Sequence, residues 1–127
     1  MVRYAYIVLD DTTDRPTLSL FPERGQGIVR RDDPADRFTP QTRCVECEPK
    51  DKCGDPKGCL EKAGQAYPVG AYYLGGPNSN TFAATLARKC CANGFPPGLG
   101  STPGSNAIPP IPGSRAESPE AGGANRR

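Results

Sequence analysis

Six cysteines fall in two groups along this chain, and they limit its possible folds more than any other feature. Four lie between positions 44 and 59 with the spacing C-x2-C-x5-C-x5-C, and Cys90 and Cys91 are adjacent. The chain has 127 residues with 15 glycines, 15 prolines, 4 phenylalanines and no tryptophan, so it can bury little apolar surface. Small domains with a thin core usually depend on crosslinks or a bound metal.

Structural disulfides are the first interpretation of this pattern. They would tie Cys90 or Cys91 back to the loop that carries Cys44, Cys47, Cys53 and Cys59, and one bridge across such a loop contributes roughly 2–4 kcal/mol. The adjacent pair is not expected to bridge to itself, because the ring would be strained. Another possibility is that Cys90 and Cys91 are simply small buried apolar residues.

Two metal or redox interpretations remain as alternatives. A structural zinc ion would be held by the thiolates of Cys44, Cys47, Cys53 and Cys59, of which the first two have the spacing of a zinc knuckle. The stretch C-V-E-C has the form of a redox motif, which normally lies where a strand leads into a helix, whereas here it lies in a loop. No other cofactor is expected.

The net charge and the short length of the apolar runs restrict the locations and partners that this chain can have. The net charge is +2 with scattered basic residues, so no nucleic-acid partner is expected. The longest apolar run, YAYIVL, is too short to cross a membrane, and the chain start lacks the apolar core of a secretory signal. Disulfides would then imply secretion or delivery outside the cell without a classical signal peptide. Bound zinc would instead suit the cytoplasm.

Local patterns predict an α+β fold. The stretch 3–9 is aromatic and β-branched, and 17–21 alternates and returns antiparallel to it as a hairpin. A third short strand is predicted in 25–31 and a short helix within 55–66. The expected fold is a small antiparallel sheet packed on one or two helices, with a crosslinked cysteine-rich loop.

The clearest helix follows the stretch GPNSNTF. Asn78 or Asn80 caps its first turn. Phe82, Leu86 and Cys90 form an apolar stripe at helical spacing. Positively charged side chains follow near its carboxyl end, and Gly94 is the predicted C-terminal stop.

The predicted organisation is one domain over 1–95, with the cysteine-rich insert 44–59, followed by a tail over 96–127. The tail is rich in proline, glycine and serine, so it is expected to be disordered or extended. Its stretch AIPPIPG, 107–113, is predicted to form polyproline II that lies along the domain or contacts a protein partner.

Two short stretches resemble a known family. GPNSNTF at a helix start, preceded by the strand YAYIVLDD, is similar to circularly permuted papain-like domains of the NlpC kind, as found at the C-termini of bacterial polymorphic (Rhs-type) toxins. In that group an H-x-Y-I-V strand precedes a G-x-N-C/S-N-T/S-F helix start. The likeness covers roughly residues 3–92. It implies that Ser79 stands at the nucleophile position and that Tyr4, or less directly Tyr6, stands where the family has its histidine.

The chain has no histidine, which separates it from active members of that family. Serine needs a base to activate it, and the dipole and free amides of a helix start do not supply one. We therefore expect an effector- or toxin-type papain-like domain with a degenerate centre, a pseudoenzyme. If active, it would be a hydrolase or acyltransferase of amide or ester bonds, with Asn78 and Asn80 as oxyanion donors or as caps.

Three other hypotheses compete with a degenerate enzyme. In the first, Ser79 merely caps the helix between Asn78 and Asn80 and has no chemical role. The whole chain is alternatively a disulfide- or zinc-crosslinked binding module whose proline-rich tail contacts a protein partner. It is also a candidate fragment of a longer polypeptide that carries the missing histidine elsewhere.

Overall fold

The computed structural model describes residues 4–9, 15–51, 53–95 and 102–116. Four strands and two helices follow in the order β1 (Ile7–Val8), β2 (Thr17–Glu23), β3 (Gln26–Arg31), α1 (Pro56–Ala66), β4 (Gly70–Ala71) and α2 (Ser79–Cys90). The strands form one antiparallel sheet in the order β1-β2-β3-β4. The predicted α+β class, with a small antiparallel sheet and two helices, is confirmed.

The β2–β3 hairpin is the centre of the sheet. Its register runs from Glu23 opposite Gln26 back to Leu18 opposite Arg31, so the turn contains only Arg24 and Gly25. Both turn residues have positive φ, 51° and 80°, as the two-residue turns that match strand twist require. The first strand is shorter than predicted, because only Ile7 and Val8 pair with β2.

The core lies where α1 and α2 pack against each other and against β2. The predicted stripe of α2 is buried, with Phe82 fully inaccessible. The ring of Tyr67 meets Phe82 edge-on, with centroids 4.9 Å apart. Gly64 allows α1 to lie close to β2, since a Cβ there would be 3.0 Å from Leu18. Aromatic edge contacts of this kind add to the free energy gained by apolar burial.

Two disulfides tie the end of α2 to two other parts of the chain. Cys90 is bonded to Cys59 in α1, and Cys91 is bonded to Cys47 in the cysteine-rich loop. Both members of the adjacent pair therefore reach back to the predicted loop. Cys44 and Cys53 are exposed and free. The sequence predicts six structural cysteines, whereas only four of them form disulfides.

The helix α2 ends earlier than the sequence predicts. Its C-cap is Cys91, with extended backbone, and not a residue next to Gly94. Gly94 lies three residues beyond this cap with a φ of +60°, and its N–H donates to the Cys91 carbonyl at 3.0 Å. Arg88 and Lys89 lie in the last turn, as predicted.

Residues 102–116 lie along the domain without helix or strand. The Gly113 N–H donates to the Val69 carbonyl at 2.7 Å, and the Ala116 N–H donates to the Gly25 carbonyl at 2.7 Å. The stretch 107–113 thus takes the first of its two predicted roles, lying on the domain. The predictions for 96–101 and 117–127 fall outside the described residues. Among the described helices, neither has the length and apolar content needed to span a bilayer.

The disulfide pattern predicts the thiol count of the native protein. Two thiols, Cys44 and Cys53, should react with a thiol reagent before and after denaturation without reductant, and all six after reduction. Peptide mass mapping should recover the Cys47–Cys91 and Cys59–Cys90 bridges. No free thiols would indicate a third bridge instead, and six free thiols with bound zinc would favour the zinc alternative.

Candidate functional site

The start of α2 is fixed by reciprocal side-chain caps. The Asn78 Oδ1 accepts the backbone N–H groups of Asn80 at 2.9 Å and Thr81 at 3.1 Å. The Thr81 hydroxyl accepts the backbone N–H of Asn78 at 2.9 Å, which completes a capping box. These bonds satisfy amide groups that a helix start leaves without partners. Asn78 is therefore the N-cap of α2.

The C-terminal segment, residues 102–116, covers this helix start. The Pro103 carbonyl accepts the side-chain amides of Asn78 at 3.1 Å and Asn80 at 3.0 Å, and the Gly104 carbonyl accepts the Thr81 hydroxyl at 2.6 Å. Gly104 has a φ of +89°, and a Cβ there would lie 2.6 Å from the Asn78 amide. Both predicted oxyanion donors are thus engaged in holding the chain together.

Ser79 lies in the first turn of α2 with only 6 % of its surface exposed. Within the described part of the chain, its hydroxyl has no hydrogen-bond partner, and neither Tyr4 nor Tyr6 bonds to it. A serine becomes a nucleophile only when a base takes its proton. The surroundings of Ser79 among the described residues provide no such base.

Tyr4 is held by another part of the molecule. Its hydroxyl donates to Asp36 Oδ1 at 2.5 Å, and the Thr17 hydroxyl donates to the other oxygen of the same carboxylate at 2.9 Å. Burial and the bond to Asp36 raise the pKa of Tyr4 well above its ordinary value. At neutral pH the phenol is therefore protonated and bonded, which leaves it unable to act as a base.

Tyr6, the other residue considered for the histidine position, has a similar structural role. Its hydroxyl donates to the Arg37 carbonyl at 2.8 Å. Partial burial, with the nearby Cys44 and Asp36, raises the pKa of Tyr6. Neither tyrosine hydroxyl is directed to α2 by a hydrogen bond.

The first strand nevertheless lies beside the start of α2. The Ala5 backbone N–H donates to Asn80 Oδ1 at 2.8 Å. This hydrogen bond, from a main-chain N–H to a side-chain oxygen, brings together the two stretches on which the family resemblance rests, YAYIVLDD and GPNSNTF. It does not join the Tyr4 and Ser79 hydroxyls.

A cleft that the sequence did not indicate lies beside β1. We call it the β1 cleft: it has a volume of about 950 Å³ and lies between residues 4–9 and the loop 37–47. Leu60, Ala83 and Ala87 of the helices line it as well, whereas Ser79, Asn78 and Asn80 do not. Its volume is at the upper end of ordinary ligand sites, which are about 300–1,000 Å³.

The loop side of the β1 cleft is anchored at its end. Cys47 is bonded to Cys91, and Pro49 forms a β-bridge with the same residue. Asn93 donates through Nδ2 to the Glu46 carbonyl at 2.7 Å and accepts the Glu48 N–H at 3.1 Å. This wall of the cleft is therefore fixed to α2 by covalent and hydrogen bonds.

The other end of the loop is held by aromatic contacts. Phe38 meets the ring of Tyr6 edge-on at 6.2 Å, and the Arg15 guanidinium lies 4.4 Å from the Phe38 ring centroid. A cation over an aromatic face is attracted by the ring electrons. The sequence signal for this arrangement was weak, because the contacts join residues more than twenty positions apart.

The two disulfides bear on the zinc and redox interpretations of the cysteines. Cys47 and Cys59 form disulfides, so they are not available as zinc ligands, and a four-thiolate site would require a reduced chain. The described residues contain no group of three or more potential metal ligands. The two cysteines of C-V-E-C are not bonded to each other, since Cys47 is bonded to Cys91.

The predicted partner contact of the proline-rich stretch remains a prediction. Ile108 and Ile111 expose 80 % and 77 % of their surface, whereas Pro110 between them is buried. The segment thus presents two apolar side chains to solvent while its backbone is fixed to the domain.

The helix start yields a direct comparison of two neighbouring residues. Asn78→Ala should reduce the free energy of unfolding by about 2 kcal/mol, since it removes the cap and a bond to the C-terminal segment. Ser79→Ala should change it by less than about 0.5 kcal/mol, because no hydrogen bond is lost and alanine favours helix. Urea unfolding with intact disulfides measures both. Equal losses would show that Ser79 contributes to the cap.

Comparisons of this chain with protein-family models, with curated proteins and with solved structures found no match. The papain-like assignment therefore remains a prediction from the two stretches quoted above.

Proposed function

We propose that this chain is a small disulfide-crosslinked binding module, related to papain-like domains in layout, that holds a ligand in the β1 cleft and does not cleave bonds at Ser79. The observation that carries the proposal is the separation of the cleft from the helix start. The open space lies at residues 4–9 and 37–47, and of the two predicted catalytic residues Tyr4 lines it whereas Ser79 does not.

The state of the predicted catalytic residues supports a non-catalytic role. Ser79 is buried and lacks a base, and Tyr4 is protonated and bonded to Asp36. Asn78 and Asn80 are occupied by the C-terminal segment. An oxyanion hole needs donors that are free to bind the developing charge, and these side-chain donors are not.

The crosslinks support a role in which a fixed shape matters. A disulfide adds stability chiefly by restricting the unfolded chain, which suits a domain with a thin core. Two disulfides are also compatible with an extracellular location. Delivery outside the cell is part of the proposal.

A second candidate function is the effector- or toxin-type hydrolase that the family resemblance implies. The bond from the Ala5 N–H to Asn80 favours it, because the first strand then lies beside the helix start as in the family layout. This candidate requires Ser79 to react, and the two functions are therefore separable by experiment.

Hydrolysis assays distinguish the two candidates. We expect no turnover of peptidoglycan fragments, acyl-amides or thioesters by the wild type beyond that of Ser79→Ala, since no described residue activates the hydroxyl. Product formation followed by mass spectrometry is the measurement. Turnover that disappears in Ser79→Ala would establish the hydrolase and end the non-catalytic proposal.

The two free cysteines allow a test of binding in the β1 cleft. Cys44 lines the cleft, whereas Cys53 is exposed and does not. Ligands selected from libraries of short random peptides and small-molecule fragments should slow maleimide labelling of Cys44 by about tenfold, as expected for a site about nine-tenths occupied. The labelling rate of Cys53 should stay unchanged and serves as the internal control. Libraries that yield no ligand protecting Cys44 would contradict the proposal.

A further inference from the structure

The two edges of the sheet differ in how they are covered. The C-terminal segment covers β4, since the Ala71 N–H donates to the Ser114 hydroxyl at 2.9 Å and the Gly113 N–H donates to the Val69 carbonyl beside that strand. Gln26 also donates through Nε2 to the Ser114 carbonyl at 3.0 Å. At the other edge, β1 has β2 on one side and the β1 cleft on the other.

The hydrogen-bond pattern of β1 shows which backbone groups face the cleft side. The N–H of Leu9 donates to the Pro16 carbonyl, and bonded and non-bonded pairs alternate along an antiparallel ladder. Val8 and Thr17, which lie opposite each other, therefore form a non-bonded pair. The Thr17 N–H donates to the Asp32 carboxylate, and the Thr17 carbonyl accepts the Asp32 N–H. Both backbone groups of Thr17 therefore face away from β1. The N–H and C=O of Val8 thus point away from the sheet, and no described residue pairs with them.

The cleft next to this edge carries positive charge. Arg15, Arg37 and Arg43 line it, and none forms an ion pair with a described residue. Among the described lining residues Glu46 is the single carboxylate, and Lys57 adds a further cation. Such a surface attracts anionic ligands and disfavours cationic ones.

We propose that the β1 cleft binds an extended acidic peptide, which adds as a strand to the free edge of β1 while its carboxylates pair with Arg15, Arg37 and Arg43. This inference rests on the proposed function and names its ligand class. Main-chain pairing at a free edge supplies affinity, and side-chain pockets supply specificity. A peptide meets both needs of the Val8 backbone, a donor for its C=O and an acceptor for its N–H. A phosphate backbone offers acceptors only.

The probe for this inference is a capped peptide of alternating glutamate and valine, and valine is chosen because it favours extended chain. A matched peptide has lysine in place of each glutamate. Two further glutamate peptides carry N-methyl groups on one or the other alternate set of amides, so that only one of them loses the N–H groups that face β1. Titration calorimetry gives Kd, and protection of Cys44 places the peptide in the cleft.

We expect the glutamate peptide to bind at least about tenfold more tightly than the lysine peptide, since paired charges at an interface favour one sign. Of the two N-methylated peptides, one should lose about tenfold or more in affinity and the other should bind like the parent, because only one edge of a strand pairs with β1. Equal binding by both methylated peptides would overturn strand addition.

Charge reversal in the protein provides the matched control. Arg37→Glu combined with Arg43→Glu should weaken the glutamate peptide by about tenfold or more. Lys62→Glu makes the same kind of change on α1, outside the cleft, and should leave Kd within about twofold, because separated surface charges are screened. Retention of both disulfides and an unchanged circular dichroism spectrum shows that each variant is folded.

The outcomes separate this inference from the proposed function. Cleft ligands that protect Cys44 but are not acidic peptides, single-stranded oligonucleotides included, would overturn the inference and leave the binding module in place. A library search that yields no ligand protecting Cys44 would overturn both.

Discussion

The pair of disulfides at the end of α2 is the constraint on which the rest of the structure depends. Cys90 fixes α2 to α1 through Cys59, and Cys91 fixes the cysteine-rich loop through Cys47. The apolar core is built from few large side chains, so these bonds limit the unfolded chain where burial alone would stabilise little. The Cys47–Cys91 bond also fixes one wall of the β1 cleft.

The two ends of α2 consequently have different roles. At its start, Asn78, Asn80 and Thr81 use their side chains to hold the first strand and the C-terminal segment. At its end, the Cys47–Cys91 disulfide holds the loop that lines the cleft. Ser79 is buried beside the first group, whereas the β1 cleft lies near the second. The helix start GPNSNTF is therefore not part of the cleft lining, whereas residues 4–9 of the stretch YAYIVLDD are.

The edges of the sheet follow a related physical logic. An exposed strand edge carries unpaired backbone groups that attract other chains, and proteins usually cover it. Here the proline- and glycine-rich segment covers β4, which explains why a stretch with little to bury lies on the domain at all. No described residue pairs with the edge at β1, and arginines of the loop 37–47 line the cleft beside it. The acidic peptide proposed above would cover this edge.

The sequence by itself determined the elements that depend on local pattern. The pairing of β1 with β2, the α2 stripe of Phe82, Leu86 and Cys90, a cap at Asn78 or Asn80 and the return of Cys90 or Cys91 to the loop follow from spacing and short-range chemistry. Only the tertiary structure decided which cysteines pair, because connectivity depends on distances that spacing does not encode. It also decided that Tyr4 bonds to Asp36, that the C-terminal segment covers the helix start, and that a cleft opens beside β1. Each of these depends on contacts between residues far apart in the chain, which a pattern of neighbours cannot specify.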